Sequence, residues 1–434
     1  MNVGNLTKSQ KIVFYIGGGI ILVILLMILG VLPGLKKSNP NNGGGTGSVN
    51  LEFWGIDSED TFHDILSSYM AVNKSVQVTY KQINPDTYES DLINAMASQR
   101  GPDVLMIKHN WVPKHFEKLY PIPTASLSIK QFQDGFVDVA GQDLIYQGKI
   151  WGLPLWVDTL ALYYNKDIFN SAAIALPPAT WQEFQDISRQ LTEKSVTGEI
   201  EKSGAALGTA KNIDNATDIL SVLMLQAGTK ITDVDGKAVF NSDQGQQALS
   251  FYTSFSNPAS LYYSWNNVLP SSLDAFSQGK VAMIIDYASA REQLKDKNPY
   301  LNYGIAPLPQ SAKNSSDVIN YADYWALSVS ALSSNQTAAW NFVFYLTGSQ
   351  PAKSYLTKTN QAPAGRLLIK DLLNDEQIGV FAKQALSAKS WLQINPEKNS
   401  QVFQNMIESI VSGRLNINSA LEQAVDEVNK TIND

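Results

Sequence analysis

Aromatic side chains stand beside carboxylates and amides at several points of this 434-residue sequence: Trp54 with Asp57, Asn110 with Trp111, Trp156 with Asp158, Asp286 with Tyr287, and Asp323 with Trp325. An indole or phenol face packs on C–H surface, while a neighbouring carboxylate or amide fixes hydroxyls by directed hydrogen bonds. The combination suits a neutral, hydroxyl-rich small molecule such as a sugar. An anionic ligand would call for several basic groups or a glycine-rich loop opening a helix, and neither is evident. Pairs among Asp57, Asp158, Asp286 and Asp323 could instead supply the acid and base of glycoside hydrolysis. Against catalysis, there is no Gly-x-Ser-x-Gly, no His-Glu-x-x-His and no cysteine, and His63, His109 and His115 are scattered. The Asp-x-Asp-Gly at 233–236 lacks the remaining ligands of a calcium loop, so no metal or cofactor is expected.

The elements that must position these residues follow from periodicity. VNLEFWG alternates Val49, Leu51 and Phe53, a helical segment spans about 60–72, and SVQVTYKQI alternates again. An amphipathic stretch, TYESDLINAMASQ, then leads through Gly101-Pro102 to the apolar run Val104 to Ile107. Strand, helix, strand, helix, strand at this spacing implies parallel pairing, with ligands outside the carboxyl ends of the strands. One strand then delivers Trp54, Ile56 and Asp57, and another His109, Asn110 and Trp111. An aromatic just after a strand is more often core than site; two independent strand ends that both offer Trp beside polar groups shift the balance. Further on, Gly279 stops a short helix and the buried strand 281–285 delivers Asp286 and Tyr287. Asp323, Tyr324 and Trp325 precede the strand 326–329. Thr180 and Glu183 form a capping box ahead of Trp181, Phe184, Ile187 and Leu191, so Trp181 belongs to a core stripe. Asp235-Gly236 marks a hairpin turn.

A length of 434 residues implies two lobes, and 44% apolar with 17% charged residues is ordinary for a folded soluble body. A formal charge of −7 argues against nucleic acid. Residues 12–32 carry no charge over twenty-one positions, enough helix to cross a hydrocarbon core of about 30 Å. A cleaved signal usually has a shorter apolar run followed by small residues, whereas this one meets Leu32-Pro33-Gly34-Leu35-Lys36-Lys37, so an uncleaved anchor is expected. Lys8 and Lys11 on one side nearly balance Lys36 and Lys37 on the other, and charge alone does not set the topology. The Asn/Gly-rich stretch that follows reads as a tether.

Three stretches together carry a resemblance. IWGLPLWVDTLALYYNKDIF followed by PPATWQEF, then AFSQGKVAMIID and NYGIAPLP, then AAWNFVFYLT, are similar in order and wording to the extracellular solute-binding proteins of ABC transporters, in the family that includes maltose-binding protein. The resemblance implies an α/β, two-lobed periplasmic-binding-protein-like fold with a ligand cleft between lobes. It also implies a monomer that hands a solute to membrane permease subunits. The expected division is a short cytoplasmic stretch 1–11, a transmembrane anchor 12–32 and a linker 33–48. Lobe 1 then takes 49–158 plus 301–333, and lobe 2 takes 159–300 plus 334–434, with the body on the extracytoplasmic side. Residue by residue, the resemblance places Trp54, Asp57, Asn110 and Trp111 on the first lobe's wall and Asp158 at a crossing. Trp265, Asp286 and Tyr287 would face them from the second lobe, with Trp325 and Arg366 approaching the cleft. Along 156–164, alternation puts Leu160, Leu162 and Tyr164 on a packing face and turns Trp156, Asp158 and Tyr163 the other way. A sensor that binds without transport would share this fold.

Overall fold

The computed structural model describes residues 48–312, 317–430 and 432, so the anchor expected at 12–32 lies outside the described residues. Among the described residues no helix is long and apolar enough to cross a membrane. In chain order the first strands are β1 (Val49–Gly55), β2 (Val76–Gln82), β3 (Val104–Lys108) and β4 (Leu119–Tyr120). They are followed by β5 (Ile145–Tyr146), β6 (Lys149–Ile150), β7 (Leu153–Pro154), β8 (Asp158–Thr159) and β9 (Ala161–Asn165). Next come β10 (Glu193–Lys194), β11 (Ile200–Ala205), β12 (Val281–Asp286) and β13 (Tyr303–Ala306). The last are β14 (Asn320–Asp323), β15 (Trp325–Ser330) and β16 (Ala388–Lys389).

Two sheets organise the chain. The first has the order β2-β1-β3-β15-β4, with β7 also on β15, and the second β10-β11-β12-β9-β13. β1 pairs in parallel with β2 and β3, through the helices Glu59–Val72 and Tyr88–Ala97, as alternation predicts. β3 and β12 are buried along nearly their whole length, which is why both read as continuous apolar runs. β1 sends Phe53 into a ring cluster with Phe62 at 5.1 Å and Tyr80 at 5.0 Å. The capping box at Thr180 and Glu183 is formed, and Gly236 takes the positive φ of 81° that its turn requires.

The chain leaves the first sheet at β7, passes Trp156 and Asp158, and enters the second at β9. It returns through β14, whose Ala322 and Asp323 pair with Thr159 and Asp158, directly into β15. β8, β14 and β16 thus form a small three-stranded sheet at the passage between the two large ones.

The placement of later segments departs from the expected division. β13 lies in the second sheet, antiparallel to β9, rather than with the first lobe. The helices Gln336–Leu346 and Ser349–Thr359 cover the first sheet rather than the second. Their apolar faces complete the Phe53 cluster, with Phe342 5.7 Å from Phe53 and Tyr355 5.3 Å from Phe62. The helices Pro396–Val411 and Ile417–Lys430 do belong to the second lobe, where Phe403 lies 5.2 Å from Phe240.

Candidate functional site

The end of β3, the β14–β15 passage and the first turn of the helix Ala216–Gln226 bring a set of charged side chains together. Lys108 Nζ lies 3.1 Å from Asp323 Oδ1, and both side chains keep about a third of their surface open, at 31% and 28%. Beside them His109 is buried, its Nδ1 2.8 Å from Asp143 Oδ2 and its Nε2 3.4 Å from Asp323 Oδ1. Tyr324 stacks on the His109 ring at 4.6 Å and donates to Asp143 Oδ2 at 2.9 Å, while the Ser390 hydroxyl bonds Asp143 Oδ1. Burial opposes charge on His109, but Asp143 and then Asp323 outweigh it and hold the imidazole up at about 9. Burial likewise opposes charge on Asp323, yet Lys108 and His109 pull it down to about 2.

From the second lobe, Asp218 and Tyr287 face this group. Tyr287 Oη donates to Asp218 Oδ2 at 2.8 Å. Burial first, and then the charge of Asp323, raise Asp218 to about 6, against the opposing pull of Lys108.

An aromatic wall adjoins the charges. Trp325 meets Trp111 and Tyr88 edge-on, each at 5.1 Å, and Trp111 Nε1 donates to Glu397 Oε1 of the second lobe at 2.8 Å. Lys114 reaches Glu397 at 3.0 Å and Glu89 at 2.7 Å, so this edge is clasped across the two lobes. Asp57, just past β1, accepts from Tyr355 Oη at 2.9 Å, and burial lifts it to about 6. Asn110 Oδ1 and Gln361 Oε1 are buried without a protein hydrogen-bond partner, the state in which a polar atom most favours a ligand or water, while the Trp156 indole lies against the Tyr355 hydroxyl.

Several sequence-predicted residues sit elsewhere. Trp54 is 4% exposed, lies under Lys81 at 4.4 Å and donates its indole N–H to Glu52 at 2.5 Å, so it is spent on the sheet. The reason is register: β1 runs on to Gly55, and Trp54 is still inside the pleat. Trp265, 1% exposed and bonded to Asn212 at 3.1 Å, belongs to the second lobe's core. Asp286 accepts from Asn215 and from the Tyr287 backbone, each at 2.7 Å, which ties the end of β12 to the loop before a helix. Asp158 accepts from the backbone N–H groups of Thr159 at 2.8 Å, Ala288 at 2.9 Å and Ser289 at 3.3 Å, so it pins the crossing to the second lobe. Arg366 pairs with Asp138 at 2.6 Å. The structure brings Trp111, Trp325 and Tyr287, all buried, beside the charged group, and Asp57 and Trp156 to Tyr355. Sequence reasoning missed Lys108, Asp143, Asp218, Tyr355 and Glu397. Asp218 and Glu397 stand in first turns of helices, where an acidic residue is routine.

Among the described residues no group of His, Asp or Glu is arranged to hold a metal ion. A cavity of about 250 Å³ lies between the last two helices, lined by Val402, Met406, Arg414 and Glu427, away from this charged group.

Comparison with known proteins agrees with the two-sheet architecture. A putative binding protein of Brucella abortus is 24% identical over 291 residues, 66% of this chain and 68% of the relative. The galactooligosaccharide-binding protein of Bacillus subtilis is 26% identical over 318 residues, 68% of this chain and 69% of its own length. The crystal structure of a cyclo/maltodextrin-binding protein complexed with maltotetraose superposes with a TM-score of 0.74 at 21% identity, over 90% of this chain and 98% of that one. Residues 55–353 match the family of bacterial extracellular solute-binding proteins, and the chain belongs to that family.

Proposed function

We propose that the protein captures a carbohydrate between its two lobes outside the cell and delivers it to the permease subunits of an ABC importer, without chemical conversion. The observation that carries this reading is the meeting of polar groups from both lobes beside an aromatic wall: Lys108 and Asp323 from one side, Asp218 and Tyr287 from the other, next to Trp111 and Trp325. Indole surface packs on a sugar's C–H face while carboxylate and ammonium groups take its hydroxyls. Two relatives are named for oligosaccharide ligands, which supports the same class. We assign Asp57, Asn110, Trp111, Trp156, Tyr287 and Trp325 to the ligand, and add Lys108, Asp218, Asp323 and Tyr355. The same proposal includes a single-pass anchor at 12–32, a tether to 48 and a monomeric body facing outward.

The test is a thermal-shift screen against maltotriose, maltotetraose, galactooligosaccharides and mannotriose, followed by recovery of the sugar. Because binding stabilises the folded state by RT ln(1 + [L]/Kd), a true ligand at a hundredfold excess over Kd adds about 2.7 kcal/mol. The bound sugar should be recovered unchanged. Shortened or epimerised product would mean an enzyme.

A further inference from the structure

We propose that Asp218 is the second lobe's hydroxyl acceptor for the sugar and that its ionisation makes capture sensitive to acid. The inference deepens the reading of this group of side chains between the lobes as a carbohydrate site and rests on it. Of the carboxylates gathered there, Asp143 has His109 at 2.8 Å, Asp323 has Lys108 at 3.1 Å and Glu397 has Lys114 at 3.0 Å. Asp218 has only the neutral phenol of Tyr287, on Oδ2, and no Lys, Arg or His pairs with it among the described residues. Its Oδ1 has no protein partner there. Three of the four carboxylates are therefore neutralised within the protein, while the fourth, half-buried and facing the other lobe, keeps one oxygen for a donor. A carboxylate taken out of water favours any donor that replaces the lost hydration, and a hydroxyl donating to an ionised carboxylate bonds more strongly than one donating to a neutral acceptor.

The groups that face Asp218 are Asp323 and Tyr321 on β14, Lys108 and His109 at the end of β3, and Tyr287 after β12. His109 loses its proton near 9 and Asp323 near 2, while Tyr287 and Tyr321 are pushed well above the usual phenol range by burial. Between pH 5 and 8 the charge that changes in this group is that of Asp218, which protonates at about 6. A sugar hydroxyl donating to Asp218 stabilises its ionised form, so affinity is full above pH 6 and falls as pH drops through it. At pH 5 about one molecule in ten is ionised, which weakens binding about tenfold.

Isothermal titration calorimetry of the full chain with maltotriose, maltotetraose, galactooligosaccharides and mannotriose, at pH 7.5 and 5.0, tests this. For a sugar that binds, wild type should lose about tenfold in affinity at pH 5.0. Asp218→Asn should weaken binding about ten- to a hundredfold at pH 7.5 and reduce the pH ratio, the remainder belonging to Asp57, which also titrates at about 6. Asp218→Glu, which keeps the titrating group, should retain the ratio. A second readout needs no sugar. A carboxyl raised to about 6 makes the folded state hold its proton more tightly than the unfolded chain, so its contribution is full below pH 3.8 and lost as pH rises through 6. The melting temperature of Asp218→Asn relative to wild type should accordingly be higher at pH 7.5 than at pH 4.5. Unchanged affinity in Asp218→Asn, a pH ratio in that variant as large as in wild type, or the opposite sign in the melts would overturn the inference and leave the carbohydrate reading standing. If no sugar binds wild type at either pH, the carbohydrate reading falls and the inference with it.

Discussion

Bonding within one lobe or across two separates two kinds of tryptophan in this protein, since Trp54 and Trp265 are tied inside their own lobe whereas Trp111 donates to Glu397 of the other. Trp54 and Trp265 belong to the first kind, each with its indole N–H already satisfied by a neighbouring side chain. Replacing either by Ala should cost about 3–5 kcal/mol in urea unfolding, through lost burial and the cavity left behind. His109 and Asp143 form a buried pair whose effect on stability has a definite sign. Because Asp143 and Asp323 overcome burial and raise His109 to about 9, its contribution is fully present below pH 6.5 and is lost as pH rises through 9. Asp143→Asn should remove up to about 3 kcal/mol at pH 6 and flatten the decline in stability between pH 6.5 and 9. Denaturant midpoints across that range check both statements. At this scale the sequence is least legible. Trp54 and Trp111 both read as strand-end residues, but β1 extends to Gly55 whereas β3 stops at Lys108, so Trp54 stays within the sheet while Trp111 lies past its strand and reaches Glu397 of the other lobe. Nothing local marks Asp218 as different from the acidic residues that favour helix starts elsewhere.

The passage between the sheets is where secondary structure and function meet. Asp158 ties β8 to the backbone at Ala288 and Ser289, and Arg291 binds the carbonyls of Ala288 and Gln377 at 3.0 Å and that of Asn360. These bonds fix the pivot. The clasp at Glu397 is different in kind, since Glu397 and Lys114 are 46% and 28% exposed and such a pair contributes at most about 1 kcal/mol. A contact of that size biases an equilibrium between open and closed lobes without locking it. The chain has no cysteine, so spin labels can be placed at Val72 on the first lobe and Val196 on the second, both exposed. In sugar-free protein, Glu397→Ala should lengthen the mean inter-label distance, and a distribution identical to wild type would remove the clasp from the account. Element types were largely readable: β1 and β2 alternate, β3 is a continuous apolar run, and the Thr180 capping box is where the sequence places it. Which lobe an element joins was not. The amphipathic helices Gln336–Leu346 and Ser349–Thr359 would cover either sheet, and only the fit of Phe342 and Tyr355 to the Phe53 cluster decides.

For the whole molecule, the central claim is that ligand touches both lobes and draws them together. A sugar held by Lys108 and Trp111 on one side and by Asp218 and Tyr287 on the other has its full affinity only when the lobes are close, so it shifts the population toward the closed form. Small-angle scattering on the body from Ser48 onward, a compact unit by itself, measures this directly. With maltotetraose, or whichever sugar of the thermal-shift screen binds, the radius of gyration should fall at saturation and stay unchanged in Asp218→Asn at concentrations that leave the variant unoccupied. An unchanged radius in wild type, with binding established by calorimetry, would contradict closure around the ligand and place the site on one lobe alone.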